Sequence, residues 1–192
     1  MNDVILLTLI VIFIYIFLFM HKQNVVYIEA YTGEQFMVYI DEDKEEKANM
    51  LAKILANLLK LKEHLVTNID TMGEFQDSIR QLDNNFNENK TIIYETDPKS
   101  DLTSYSVNKG EELSFCLKSK KNQRLHDINL LMYVAIHELA HIGCSEIGHG
   151  ALFKKIFKKY IEEAIKIGIY KHQDYSINNV EYCGMILSSS II

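Results

Sequence analysis

His137-Glu138-Leu139-Ala140-His141 places two imidazoles four residues apart, with a carboxylate beside the first. On an α-helix, positions i and i+4 share a face. Both rings can then address one metal ion while Glu138 reaches a water held on it. This is the H-E-x-x-H arrangement of zinc hydrolases, with the glutamate as general base. Neutral imidazoles bind zinc without cancelling its charge, and that charge brings the pKa of bound water to about 7. The run Ile128-Asn129-Leu130-Leu131-Met132-Tyr133-Val134-Ala135-Ile136 is mostly apolar and free of Gly and Pro. It predicts a buried helix, with Asp127 as N-cap and Gly143 just past the end. The competing reading is a pair of core histidines with backbone partners.

A catalytic zinc usually has three protein ligands and a water. His149 is the first candidate for the third, because it lies eight residues past His141 between Gly148 and Gly150. The metzincin pattern is excluded: its glycine and third histidine would fall on Cys144 and Ile147. A glutamate from a later helix is the other route. Glu162 and Glu163 lie in a segment whose apolar positions 153, 156, 157, 160, 161, 164 and 165 form one stripe. Both flank that stripe, so both read as solvated. Cys144 could bind zinc as a thiolate, but it follows the helix end too closely to reach round.

His137-Glu138-Leu139-Ala140-His141, followed by Gly148-His149 and Phe153, resembles the zinc peptidase domains of the WLM (Wss1-like) type and their SprT-like relatives. The similarity is greater to WLM-like metallopeptidases of large DNA viruses. It extends to Thr103–Glu111, His126–Met132 and Tyr182-Cys183-Gly184-Met185, and runs from about residue 25 to residue 187. The resemblance implies His137, His141 and His149 as ligands of one zinc ion and Glu138 as base. The chain departs from the pattern at Leu152, where such domains usually carry an acidic or amide residue that could support the third histidine.

The N-terminus carries a different signal. Val4 to Met20 is an uncharged run rich in Ile, Leu and Phe, at the short end of what can span a bilayer. Met1-Asn2-Asp3 has no basic residue and Phe19-Met20-His21-Lys22 no small pair, which favours an uncleaved anchor over the alternatives, a cleaved signal peptide or a buried core helix. The expected organisation is a transmembrane anchor over 1–22 and a metallopeptidase domain over 23–192. Lys22 is the only Lys or Arg near the anchor and weakly favours a cytoplasmic domain on a cellular or viral membrane. Cys116, Cys144 and Cys183 are odd in number and widely spaced, which does not suggest a disulfide framework.

The elements that must position the motif follow a simple order. Val25–Ala30 and Gln35–Ile40 read as a hairpin around Thr32-Gly33. A long helix starts at Asp41 or Asp43 and runs to about Val66, and a shorter one covers Gly73–Leu82. Strands are predicted at Thr91–Thr96, Thr103–Val107 and Glu112–Leu117, with Asn108-Lys109-Gly110 turning between the last two. The metal helix and the Phe153–Ile165 helix follow. The expected fold is α+β and zincin-like: a mixed sheet laid over the metal helix. Leu113–Leu117 is the candidate edge strand for an extended substrate. The tail from Ile169 to Ile192, rich in Tyr and small polar residues, is too irregular to assign a second domain. Its Tyr170, Tyr175 and Tyr182 are candidates for a phenol that stabilises an oxyanion.

The chain holds 20 Lys+Arg against 26 Asp+Glu, a formal net charge of −6. That balance argues against generic nucleic-acid binding. The Lys154, Lys155, Lys158 and Lys159 face reads as a solvated helix surface. The function expected is a membrane-anchored zinc peptidase acting on protein or peptide. The alternative is an inactive, zinc-binding interaction module tethered to a membrane.

Overall fold

The computed structural model describes the backbone of residues 2–20 and 24–192, and the side chains of 5–14 and 24–192. Helix α1 (Asn2–Met20) covers the apolar N-terminal run. Its described residues, Ile5 to Ile14, are all exposed. Among the described residues no helix is long and apolar enough to cross a membrane. The expected anchor is therefore unsupported, and its boundary at residue 22 lies outside the described residues.

A five-stranded sheet carries the rest, in the order β1-β2-β3-β5-β4. Strands β1 (Val25–Glu29) and β2 (Gln35–Tyr39) form the expected antiparallel hairpin. Helix α2 (Lys44–Thr67) follows and returns the chain to β3 (Ile92–Glu95), which pairs parallel to β2. Strand β5 (Glu112–Phe115) pairs parallel to β3 and antiparallel to β4 (Tyr105–Val107). The sheet is mixed because a helical crossover makes β2 and β3 parallel, β5 reaches its parallel place beside β3 by way of β4, and short turns make the antiparallel pairs. One expectation fails here. β5, the proposed edge strand, is interior, and β4 is the edge.

The helices cover one face. Helix α3 (Gln76–Asn85), α4 (Ile128–Gly143) and α5 (Ala151–Lys166) pack with α2 around one core. Leu51, Ile54, Leu58, Leu61 and Leu65 of α2 are fully buried, as their spacing predicts. Lys47 is buried among them. Its Nζ lies 2.8 Å from Glu95 Oε2 and donates to the Tyr39 carbonyl at 2.7 Å. Glu95 also accepts from the Tyr39 N–H at 2.6 Å. This saturated pair fastens α2 to β2 and β3, and losing either partner would strand a buried charge.

A further expectation is corrected. Cys116 and Cys183 form a disulfide with a Cα–Cα distance of 6.0 Å, and Cys144 is free and buried. Spacing hid the pair because 67 residues of folded chain separate the partners. Within the tail, β6 (Val180–Tyr182) and β7 (Met185–Leu187) form a separate two-stranded hairpin.

Glu163 is buried rather than solvated, and is only 3% exposed. It meets His64 at 2.9 Å, Lys159 at 2.7 Å and Lys166 at 2.6 Å, and so ties α5 to α2. Burial disfavours its charge, but the hydrogen bonds from Lys159, Lys166 and His64 outweigh that and pull its pKa down to about 2. A depressed carboxylate stabilises the fold above its ordinary pKa of 4.5, and that stability is lost as pH falls toward 2. Urea unfolding measured from pH 5 to 2 is expected to show a shallower acid loss for Glu163→Gln than for the parent. Equal slopes would contradict this assignment.

Candidate metal centre and cleft

The metal helix forms as its sequence predicts. Asp127 caps α4, its Oδ1 accepting the Asn129 N–H at 2.8 Å. The apolar run then buries every α4 residue from Leu130 to Ile136. His137 and His141 emerge on one face. His149 comes from the turn between α4 and α5, where Gly148 takes φ +82° and Gly150 caps α5. The three Nε2 atoms form a triangle with sides of 3.0, 3.0 and 3.2 Å.

That triangle can hold one metal ion. Nitrogens bonded at about 2.0–2.1 Å to a tetrahedral zinc lie roughly 3.3 Å apart, so the spacing fits zinc closely. Burial and the neighbouring imidazoles push His137 down to about 3. Burial, His149 and Lys109 push His141 down to about 4. Both rings are thus neutral near pH 7, the state that binds metal. Phe153 of α5 backs all three imidazoles, stacking on His141 at 4.2 Å and meeting His137 and His149 at 4.9 Å.

Glu138 sits on the adjacent face of α4 and is 6% exposed. Burial raises its pKa to about 7, against hydrogen bonds from the hydroxyl and backbone of Ser106 on β4. The helix therefore presents its carboxylate to the edge strand of the sheet.

The end of α4 is closed in a way the sequence concealed. Gly143 is the last helical residue, not a left-handed residue beyond it. A Cβ there would collide with the Tyr160 hydroxyl, which is bonded to Ser78 at 2.8 Å. Side chains satisfy the terminal carbonyls instead. Gln81 donates to Ile142 and Cys144 at 2.8 and 2.9 Å. Lys109 donates to the carbonyls of His141, Cys144 and Glu146 at 3.2, 2.6 and 2.9 Å. Asn108 and Lys109 both take positive φ to aim that ammonium. Lys109 thus fixes the loop that delivers His149. The sequence marked Asn108-Lys109-Gly110 only as a turn.

A cleft of about 620 Å³ opens over the histidines, within the usual range for ligand sites. It is lined by Thr103–Ser106, by Tyr133, Val134, His137, Glu138 and His141 of α4, and by Tyr182, Met185 and Leu187. Of the three candidate phenols, Tyr182 borders the cleft. Tyr170 and Tyr175 pack behind it on Tyr133, with ring centroids at 5.9 and 4.9 Å. Glu163 belongs to the α2–α5 ion cluster, and Cys144 is buried at the end of α4. Leu152 is exposed; His149 draws its support from the Phe153 ring and from the loop held by Lys109.

No family model matches the chain. Over 161 residues it is 40% identical to uncharacterized protein R325 of Acanthamoeba polyphaga mimivirus, a match covering 84% of this chain and 81% of that one. The chain belongs to the R325 family. Uncharacterized protein 136R of Invertebrate iridescent virus 6 is 33% identical over 97 residues, which is 50% of this chain and 53% of that protein. These relatives come from large DNA viruses, as the sequence resemblance implied. Among solved structures, the crystal structure of Wss1 from Saccharomyces cerevisiae matches 66% of this chain and 82% of its own, with 18% identity and a TM-score of 0.49.

Lys109→Met keeps the aliphatic stem and removes the cation from three carbonyls. Zinc affinity, measured by competition with a chelator, is expected to fall about tenfold or more, with the far-ultraviolet spectrum unchanged. Unaltered affinity would show that Lys109 does not hold the His149 loop.

Proposed function

We propose that this chain is a zinc-dependent peptidase. The observation that carries the reading is the Nε2 triangle of His137, His141 and His149 beside a buried Glu138, in a cleft bordered by the sheet's edge strand. A zinc ion on the three imidazoles would supply a water of lowered pKa and an electrophilic contact for the scissile carbonyl. Glu138 would accept a proton from the attacking water and return it to the leaving amine. Its contact with Ser106 keeps the carboxylate turned toward the space between α4 and β4. The phenol of Tyr182 provides the second donor for charge developing on the carbonyl oxygen.

Substrate geometry follows from the edge. An extended peptide can add to β4 by backbone hydrogen bonds, with its side chains falling alternately into the cleft and outward. The acidic balance of the chain favours a protein substrate over nucleic acid. The N-terminal helix enters this reading as a membrane tether, motivated by its exposed and mostly apolar side chains between Ile5 and Ile14.

Full-length protein loaded with zinc is expected to cleave unfolded polypeptides. Glu138→Gln should retain its zinc and lose at least about a hundredfold in rate. Equal cleavage by both proteins would sink the mechanism. The same preparation tests the tether: the full chain should float with lipid vesicles and a chain starting at Asn24 should not. Flotation by neither would remove the membrane from the account.

A further inference from the structure

The hairpin β6–β7 forms one side of the cleft yet shares no strand pairing with the main sheet. A two-stranded ribbon is marginal by itself, so something else must hold it against the site. Tyr182 is 2% exposed; its ring lies 4.9 Å from that of His126 and its hydroxyl is hydrogen-bonded to Ser104. The Cys183 N–H donates to His126 Nε2 at 3.2 Å. Cys183 is then bonded to Cys116, the residue following β5. The Cys116 N–H in turn donates to Ser104 Oγ at 3.2 Å. Ser104, Tyr182, Cys183 and Cys116 therefore close a ring of contacts in which the disulfide is the covalent member.

The backbone supports the same assignment. Cys183 and Gly184 occupy the centre of a two-residue hairpin turn with φ of +49° and +90°. Such turns favour Asn or Gly at their first central position, because a Cβ there is disfavoured. A cysteine in that conformation needs surroundings that enforce it. The turn directs its sulfur toward the end of β5. The loop closed by the bond contains all of α4 and α5, and with them the three histidines and Glu138.

We propose that the Cys116–Cys183 disulfide positions Tyr182 and the hairpin side of the cleft, so that peptide cleavage at this site depends on the thiol state of the protein. The inference rests on the peptidase reading for its activity and on the hairpin alone for its structure. The exchange needs a dithiol reductant. One of its thiolates attacks a sulfur of the bond, the Cys116–Cys183 bond breaks, and a mixed disulfide forms. The second thiol resolves it. Two protons and two electrons then reside on Cys116 and Cys183 as thiols, and the reductant leaves as its own disulfide. Both cysteines are buried, at 6% and 4% exposure, so the exchange requires the hairpin to lift.

The test uses the full chain in oxidised form, reduced with a dithiol that is then removed, and as the Cys116→Ala/Cys183→Ala double variant. Thiol titration in denaturant should read the free Cys144 alone before reduction and all three cysteines after it. Amide hydrogen exchange across 180–187 is expected to quicken at least tenfold in the reduced and double-variant proteins, with zinc content unchanged. Their kcat/KM should fall at least tenfold, and reoxidation should restore the reduced protein only. Tyr182→Phe in the oxidised protein should lower kcat without quickening exchange. Unchanged exchange on reduction would overturn the clamp. Faster exchange with unaltered kcat/KM would overturn the thiol dependence. An oxidised parent that cleaves nothing would instead count against the peptidase reading, with exchange still deciding the clamp.

Discussion

Three imidazole nitrogens within 3.2 Å of one another set the terms for this molecule. Imidazoles that bind a metal through Nε2 turn their lone pairs to one point, an arrangement that a cation among them stabilises. Protonation does not supply that charge at His137 and His141, because burial opposes their charging. The rest of the structure holds this arrangement together. Phe153 blocks the rings from behind, α4 fixes two of them at i and i+4, and the turn into α5 supplies the third.

The cost of that arrangement falls on the end of α4. A chain that leaves a buried helix and returns within eight residues leaves several carbonyls without intrahelical partners. Gln81 from α3 and Lys109 from the β4–β5 turn meet them. Two elements distant in sequence thereby hold the loop that carries His149. Glu138 is likewise tied to β4 through Ser106. The histidine triangle and the sheet edge are thus tied together, and the hairpin that carries Tyr182 also borders the cleft.

What could be read from the chain was local. The i, i+4 histidines, the Asp127 cap, the extent of α2 and the first hairpin follow from short-range pattern, and each lies where expected. The readings that failed depended on partners far along the chain. Strand order made β5 interior and β4 the edge, since a parallel pairing with β3 is invisible to pattern. Glu163 looks solvated in the sequence because its three partners, two lysines and a histidine, come partly from its own helix and partly from α2. Cys116 and Cys183 gave no spacing signal, and their hairpin turn lacks the usual Asn-Gly. Gly143 was read as a terminator, but it is a glycine because Tyr160 and Ser78 leave no room for a side chain.

The claim on which all of this stands is that the triangle is a metal site. Equilibrium dialysis of the full chain against zinc, followed by metal analysis, tests it directly. One zinc per chain is predicted for the parent, with binding lost or weakened at least a hundredfold in His149→Ala while the fold is retained. A parent that binds no zinc, or a His149→Ala variant that binds it equally well, would contradict the account.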